Sequence, residues 1–255
     1  MDIIGKGFIA RHLWPLREAH PGVTVLAAGV PRQQLPDSEH EREAELVRDT
    51  VARCRNRGEL LVFFSTASMY GGPGCRGRED DPVVPTTRYG RHKFALERVV
   101  RESGVDHLVL RLAYVLGPHG PDFRLVPALV SQVRAGRVRV HPGARRDLLH
   151  VADFVTLVDA LLASGVRDET VNVASGDCVD VLDVVAHLKR RLALDAEEVV
   201  AGGGESAFSH CPSVARLRAL LPESAGSVFG PGYHRRALDR YLRQTGDWSA
   251  PTGGQ

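Results

Sequence analysis

Three apolar runs of strand length, 23–30 (VTVLAAGV), 59–71 (ELLVFFSTASMYG) and 106–118 (DHLVLRLAYVLGP), are separated by polar stretches of helical length, and no other feature restricts the fold as much. Runs this continuous in apolar residues are buried on both faces, which is the signature of a parallel sheet covered by helices. The helices expected between them span about 38–56 and 88–103. A fourth, shorter run, Asp2–Ile4, passes straight into Gly5-Lys6-Gly7-Phe8-Ile9-Ala10 and a helix-like segment to about Glu18. Strand, glycine turn, helix aims backbone N–H groups and the positive end of a helix dipole at one point, an arrangement suited to a diphosphate. Gly5 permits the tight turn, Gly7 lets a phosphate approach the backbone, and Ala10 still allows close helix–strand packing. A parallel α/β sheet binds ligands beyond the carboxyl ends of its strands. Gly7, Ala28, the hydroxyls of 65–68 and the start of the 114–120 loop should therefore converge.

Charge and composition exclude several classes. Among 255 residues, 33 Lys and Arg face 31 Asp and Glu, so there is no bulk positive field to gather nucleic acid. Cysteines 54, 75, 178 and 211 form no CxxC pair, which suggests neither a metal site nor a disulfide framework and fits a reducing cytoplasm. No run approaches the roughly 20 apolar residues of a spanning helix, and the first residues lack a signal-peptide core. The expectation is a cytoplasmic protein with no membrane and no nucleic-acid partner.

Past residue 118 the pattern loosens. A helix (123–135), a short strand (137–141), a basic loop (143–154, GARRDLLHVADF), a helix to about 163, a strand (170–175) and a helix (180–193) are expected, then a loop over 201–206 and a helix near 213–220. This divides the chain into a dinucleotide-binding part (1–118), a smaller substrate-binding region (119–245) whose strand near 170–175 returns to the sheet, and a disordered tail (246–255).

Tyr89 and Lys93 stand four residues apart within TTRYGRHKFALE, so in a helix they share a face. A tyrosine titrates near 10 in isolation, too high for base chemistry at neutral pH, and a neighbouring ammonium favours its phenolate. An amphipathic helix bearing an aromatic and a solvated lysine is the plainer reading of the same spacing.

With the GxGFIA turn, LAAG, STASMYG, RYGRHKFALE, RLAYVLGP, RRDLLHVADF and VNVASG in one order, the chain resembles the extended short-chain dehydrogenase/reductases, the NAD-dependent epimerase/dehydratase family. The resemblance covers residues 2 to about 240 and implies a Rossmann-like, doubly wound parallel sheet. It also implies that Tyr89 exchanges a proton with the substrate oxygen, that Lys93 supports the phenolate and holds the nicotinamide ribose, and that Thr66 polarises the substrate oxygen, with Ser65 a close competitor. Gly5, Lys6, Gly7, Phe8, Ile9, Ala27 and Ala28 would hold the cofactor. Ser68, Tyr114 and Arg146 would face a nucleotide-diphosphate sugar, Arg146 through its planar donor fork. Asp147 and Asp153 would orient their loop, Asn172 would brace the fold, and His119, His141 and His150 show no metal-ligand spacing.

The departures from the family pattern are informative. LAAG follows the first helix too soon, so the family's second and third strands are missing, and with them the acid that binds the adenosine ribose. Lys6 matches a basic residue of NADPH-using reductases, which favours NADP(H) over NAD(H). Tyr114 stands where the family usually has Asn and Leu116 where it has Tyr, an arrangement similar to 4-ketoreductases. Ala67 and Ser68 replace the Asp-Glu pair of dehydratases. The leading expectation is reduction of a nucleotide-linked 4-keto-6-deoxysugar. A nucleotide-sugar epimerase with tightly retained NAD, and a non-catalytic dinucleotide-binding protein, are the alternatives. The family often pairs through the two helices at 38–56 and 88–103, so a homodimer is expected.

Overall fold

The structure, a computed structural model, describes residues 1–29, 36–70, 75–201, 209–221 and 229–247. Gly71, the glycine-rich stretch 202–206 and the tail 248–255 lie outside them.

The main sheet contains β1 (Asp2–Ile4), β2 (Val23–Leu26), β3 (Leu60–Thr66), β4 (His107–Leu112) and β8 (Glu169–Val173), in the order β1-β2-β3-β4-β8 and parallel throughout. Alternate residues of the apolar runs serve opposite faces. Val62, Phe64, Leu108 and Leu110 join Phe8 and Leu13 of α1 (Phe8–Leu13) and Phe154 of α5 (Val151–Ala163) on one side. Leu61, Phe63 and Val109 join α2 (Asp37–Arg57) and α3 (Arg88–Arg101) on the other. Leu61, Phe63, Leu108 and Leu110 are sealed from solvent, each contributing about 1.5–3 kcal/mol through burial. The Rossmann-like sheet with helices on both faces is as expected, and β1 pairs directly with β2, leaving no strand beyond β1 among the described residues.

That order has a topological consequence. The steps β1 to β2, β2 to β3 and β3 to β4 all run the same way across the sheet, yet α1 lies on one face and α2 and α3 on the other. The first crossover therefore has the opposite hand to the two that follow it, where one hand is the rule.

Local signals set the helix ends. In α2, Asp37 and Glu39 occupy the first turn, Arg55 and Arg57 the last, and Gly58 closes it at φ +63°. Its buried stripe is His40, Glu43, Val47, Thr50, Val51 and Cys54, a helical period that contains a carboxylate. Thr87 caps α3, its Oγ1 accepting from Gly90 N at 3.0 Å.

β4 leaves the main sheet at Ala113, whose N–H donates to Val173 O, and the chain continues as β5 (Tyr114–Leu116). β5 pairs with β7 (Arg145–His150), which also carries β9 (Cys178–Asp180) and β11 (Ser209–His210). The expected basic loop at 143–154 is thus a strand running straight into α5: its charged residues lie at one end, and Leu148, Leu149 and His150 are buried. α4 (Leu125–Arg134), β6 (Arg137–Val140), α6 (Val181–Leu192), β10 (Glu197–Val200) and α7 (Ala215–Leu220) fill out this layer. A further helix, α8 (Tyr233–Thr245), packs on β7.

The cysteines correct the sequence expectation. Cys178 and Cys211 are joined: β9 and β11 both pair with the start of β7, and the two Cα atoms, 33 residues apart in sequence, lie 5.5 Å apart. Cys54 and Cys75 are free thiols. No helix among the described residues is long and apolar enough to cross a membrane.

Candidate active site

The seam where β4 gives way to β5 opens into a cavity of about 650 Å3 at the carboxyl end of the main sheet. Thr66, the last residue of β3, lines it together with Ser68 from the 3-10 turn Ala67–Tyr70 and Tyr89 from the first turn of α3. Thr66 Oγ1 donates to Ser68 Oγ at 2.9 Å and accepts from Ser68 N at 3.1 Å. Ser65, the competing hydroxyl, is buried beneath the strand and does not line the cavity. A secondary hydroxyl and a phenol facing one cavity can both hydrogen-bond a single carbonyl oxygen.

Lys93 sits deeper. Its side chain is 5% exposed, and its ammonium bonds Glu43 Oε1 at 2.8 Å and lies 4.7 Å from the Phe63 ring centroid. It is absent from the cavity lining, so the structure brings Thr66, Ser68, Tyr89, Tyr114 and Arg146 to one cavity and leaves Lys93 outside its lining.

Tyr114, Arg124, Arg146, Asp147 and His210 also line the cavity. Tyr114 OH accepts from Val126 N at 3.0 Å at the start of α4; burial pushes its phenol up, and Arg124 pulls it back. The Arg124 guanidinium lies 4.8 Å from the Tyr114 ring centroid and 5.6 Å from that of Phe8, between the glycine turn and the cavity. Arg146 pairs in register with His210 across β7 and β11. Burial lowers the Arg146 pKa, and burial with the Arg146 charge takes His210 down to about 4, so its ring is neutral at physiological pH. Asp147 is fully buried and raised to about 6 by desolvation, against hydrogen bonds from Ser175 N, Ser175 Oγ and Gly176 N that pull it back.

Beneath the cavity, Arg111 binds Glu97 through Nε and Nη2 and donates to Tyr70 OH at 2.8 Å. Tyr70 OH donates in turn to Asn172 Oδ1 at 2.7 Å, and Asn172 Nδ2 reaches Gly77 O and Ser213 O. Asn172 is thus a brace, and burial takes the Tyr70 phenol to about 12. Asp153 accepts from Tyr233 OH and Arg240, and His150 caps α5 through its ring nitrogen. His119 and His141 lie outside the cavity.

The glycine turn fits a dinucleotide diphosphate. Gly5 has φ +131° and a Cβ there would meet Ala27 O at 2.4 Å, whereas a Cβ on Gly7 would meet nothing within 4 Å. The first glycine is required by the chain's own backbone; the second leaves open room for a ligand. Lys6 is exposed at the turn, Phe8 is buried, Ile9 is half-buried, and Ala27 and Ala28 follow the end of β2.

Arg124, Asp147 and His210 were not identified as cavity residues from sequence. Arg124 and His210 have no motif around them, and only pairing between distant segments carries them to the site.

These features define a dinucleotide-type α/β protein with its cavity at the carboxyl end of the sheet. The profile of the NAD dependent epimerase/dehydratase family matches residues 5–174, and the chain belongs to that family. It is 32% identical over 118 residues to a UDP-glucose 4-epimerase from Lacticaseibacillus casei, covering 39% of this chain and 35% of that one. It is 40% identical over 78 residues to a dTDP-4-dehydrorhamnose reductase from Streptomyces griseus, covering 30% and 26%. The matched stretches thus span only about a quarter to a third of those relatives' length. Among solved structures, MoeE5 in complex with UDP-glucuronic acid and NAD superposes with a TM-score of 0.79 at 22% identity, over 97% of this chain and 98% of that one. RMD from Pseudomonas aeruginosa complexed with NADPH gives 0.77 at 19%, over 96% and 97%.

Proposed function

We propose that the protein reduces the keto group of a nucleotide-linked 4-keto-6-deoxysugar. The observation that carries this reading is the shared cavity of Thr66 and Tyr89, which Tyr114 and Arg146 also line. Thr66 and Tyr89 hydrogen-bond the keto oxygen, and the Tyr89 phenol gives it a proton as the carbon becomes an alcohol. A bound nicotinamide supplies the hydride to that carbon. Lys93 holds the cofactor ribose, and Arg146 grips the sugar diphosphate. Gly5, Gly7, Phe8 and Ile9 cradle the cofactor diphosphate, with Ala27 and Ala28 beside it. Lys6, exposed at the glycine turn, supports NADP(H) over NAD(H) by offering a cation to a 2′-phosphate.

The test is NADPH oxidation followed at 340 nm with a panel of nucleotide-linked 4-keto-6-deoxyhexoses. Tyr89→Phe should lower turnover by about 100-fold or more, the range of general acid–base contributions. Equal rates in wild type and variant, or no reduction of any member of the panel, sink the reading. Lys6→Ala should lower the preference for NADPH over NADH by roughly the tenfold that one charge-assisted contact is worth, and an unchanged preference removes the 2′-phosphate assignment. The matched epimerase supports a second reading, a nucleotide-sugar epimerase. Stoichiometric NAD retained through purification would favour it.

A further inference from the structure

The partner of the Lys93 ammonium is a carboxylate from another helix. Glu43 lies 4% exposed in α2, while Glu41, Glu45 and Asp49 of the same helix are in solvent. Both of its oxygens are engaged: Oε1 on Lys93 Nζ at 2.8 Å and Oε2 on His92 Nε2 at 3.0 Å. The His40 ring stands edge-on to His92 with centroids 4.4 Å apart. An ion pair this deep is weak evidence for stability, since apolar residues of similar volume would often hold two helices together as well. Its location suggests another use. A Cβ built on Gly29 would lie 3.0 Å from both Lys93 Nζ and Glu43 Oε1, so the pair sits directly under the exposed backbone that follows β2, next to Ala28, where the proposed function puts the cofactor. An ammonium has three donors, and Glu43 takes one of them.

We propose that Glu43 is a positioning residue: it fixes the Lys93 ammonium beneath Gly29 so that the remaining donors face the dinucleotide. The inference rests on the reading that the chain binds a nicotinamide dinucleotide, and it assigns no contact between Glu43 and the ligand. The carboxylate acts on affinity only through the lysine. Gly29 is the small residue that the arrangement requires above the pair.

The experiment is a double-mutant cycle on the full chain, read as the dissociation constant for NADPH from its fluorescence. Glu43→Gln and Lys93→Met should each weaken binding about tenfold, within the range of coupled neighbours, and the double variant should bind no more weakly than Lys93→Met. Equal losses from Glu43→Gln in the wild-type and Lys93→Met backgrounds would overturn the proposal, as would no loss from the single change. Gly29→Ala keeps both charges and touches only the flexible ends of two side chains. It should weaken binding several-fold with an unchanged urea midpoint, and it decides the matter if Glu43→Gln fails to fold: unchanged affinity then overturns the proposal. A wild-type protein that binds no dinucleotide overturns both this inference and the proposed reaction. A protein that binds NADPH yet reduces no nucleotide sugar overturns the reaction alone, and the cycle still decides the role of Glu43.

Discussion

At one end of the carboxyl rim, around Thr66, Tyr89 and Arg146, every wall is anchored to something deep: Arg111 and Glu97 below, Asp147 tied to Ser175 and Gly176, Asn172 tied to two loops. At the other end, around Gly5 and Gly7, the rim consists of a three-residue strand, a turn and a six-residue helix. The polar ties of that strand lie at the surface, as in the Arg53–Asp2 pair at 2.8 Å at its amino end, whose Asp2 side chain is half exposed. Buried polar ties are thus concentrated under the proposed substrate, whereas the glycine-turn side of the proposed cofactor is held by apolar packing of Phe8, Ala10 and Leu13. A binding site can lose one flank without losing the rigidity of the other, because the deep anchors belong to β3, β4, α3 and β8 rather than to β1.

That contrast can be broken by substitution. Glu97→Ala leaves Arg111 buried without its carboxylate and should destabilise the fold by about 3–5 kcal/mol, measured by urea unfolding. A loss below about 1 kcal/mol would show that the deep end is no stiffer than the shallow one. Asp147 offers a pH-dependent version. Its folded pKa is raised from 3.8 to about 6, so its contribution to stability is fully present below pH 3.8 and is lost as pH rises through 6. Relative to Asp147→Asn, the wild type should therefore lose about 3 kcal/mol between pH 3.8 and neutrality. Parallel unfolding curves across that range would remove Asp147 as an ionising anchor. At the shallow end, Arg53→Ala should change stability by less than about 1 kcal/mol, as surface pairs do. A larger effect would mean that β1 is held more firmly than its contacts suggest.

The parallel sheet was legible because β3 and β4 are buried on both faces and read as unbroken apolar runs. The helix that carries Tyr89 and Lys93 was legible from their spacing of about one turn, but that spacing did not show that Tyr89 lines the cavity while Lys93 turns to Glu43. β7 was hidden by its own charges: RRD at its start looks solvated, whereas in the fold it faces β9 and β11. α8 has a readable stripe, Tyr233, Ala237, Leu238, Tyr241 and Leu242, masked by the arginines between them. Nothing local distinguishes Glu43 from the exposed acids of α2, or Cys178 and Cys211 from free thiols, because each is defined by a partner brought in from a distant segment. That Thr66 rather than Ser65 lines the cavity follows from the pleat of β3, which turns one hydroxyl inward and the other to the cavity.

The direct β1–β2 ladder explains how a protein of this kind tolerates excision. In the strand order 3-2-1-4-5-6 of dinucleotide-binding sheets, the first and fourth strands are already neighbours. Removing the two between them in sequence trims the sheet's margin and opens no gap in its hydrogen bonding. The first helix keeps the face it would take if the chain were bound for a strand outside β1, and that choice of face is what gives the β1–β2 crossover its reversed hand.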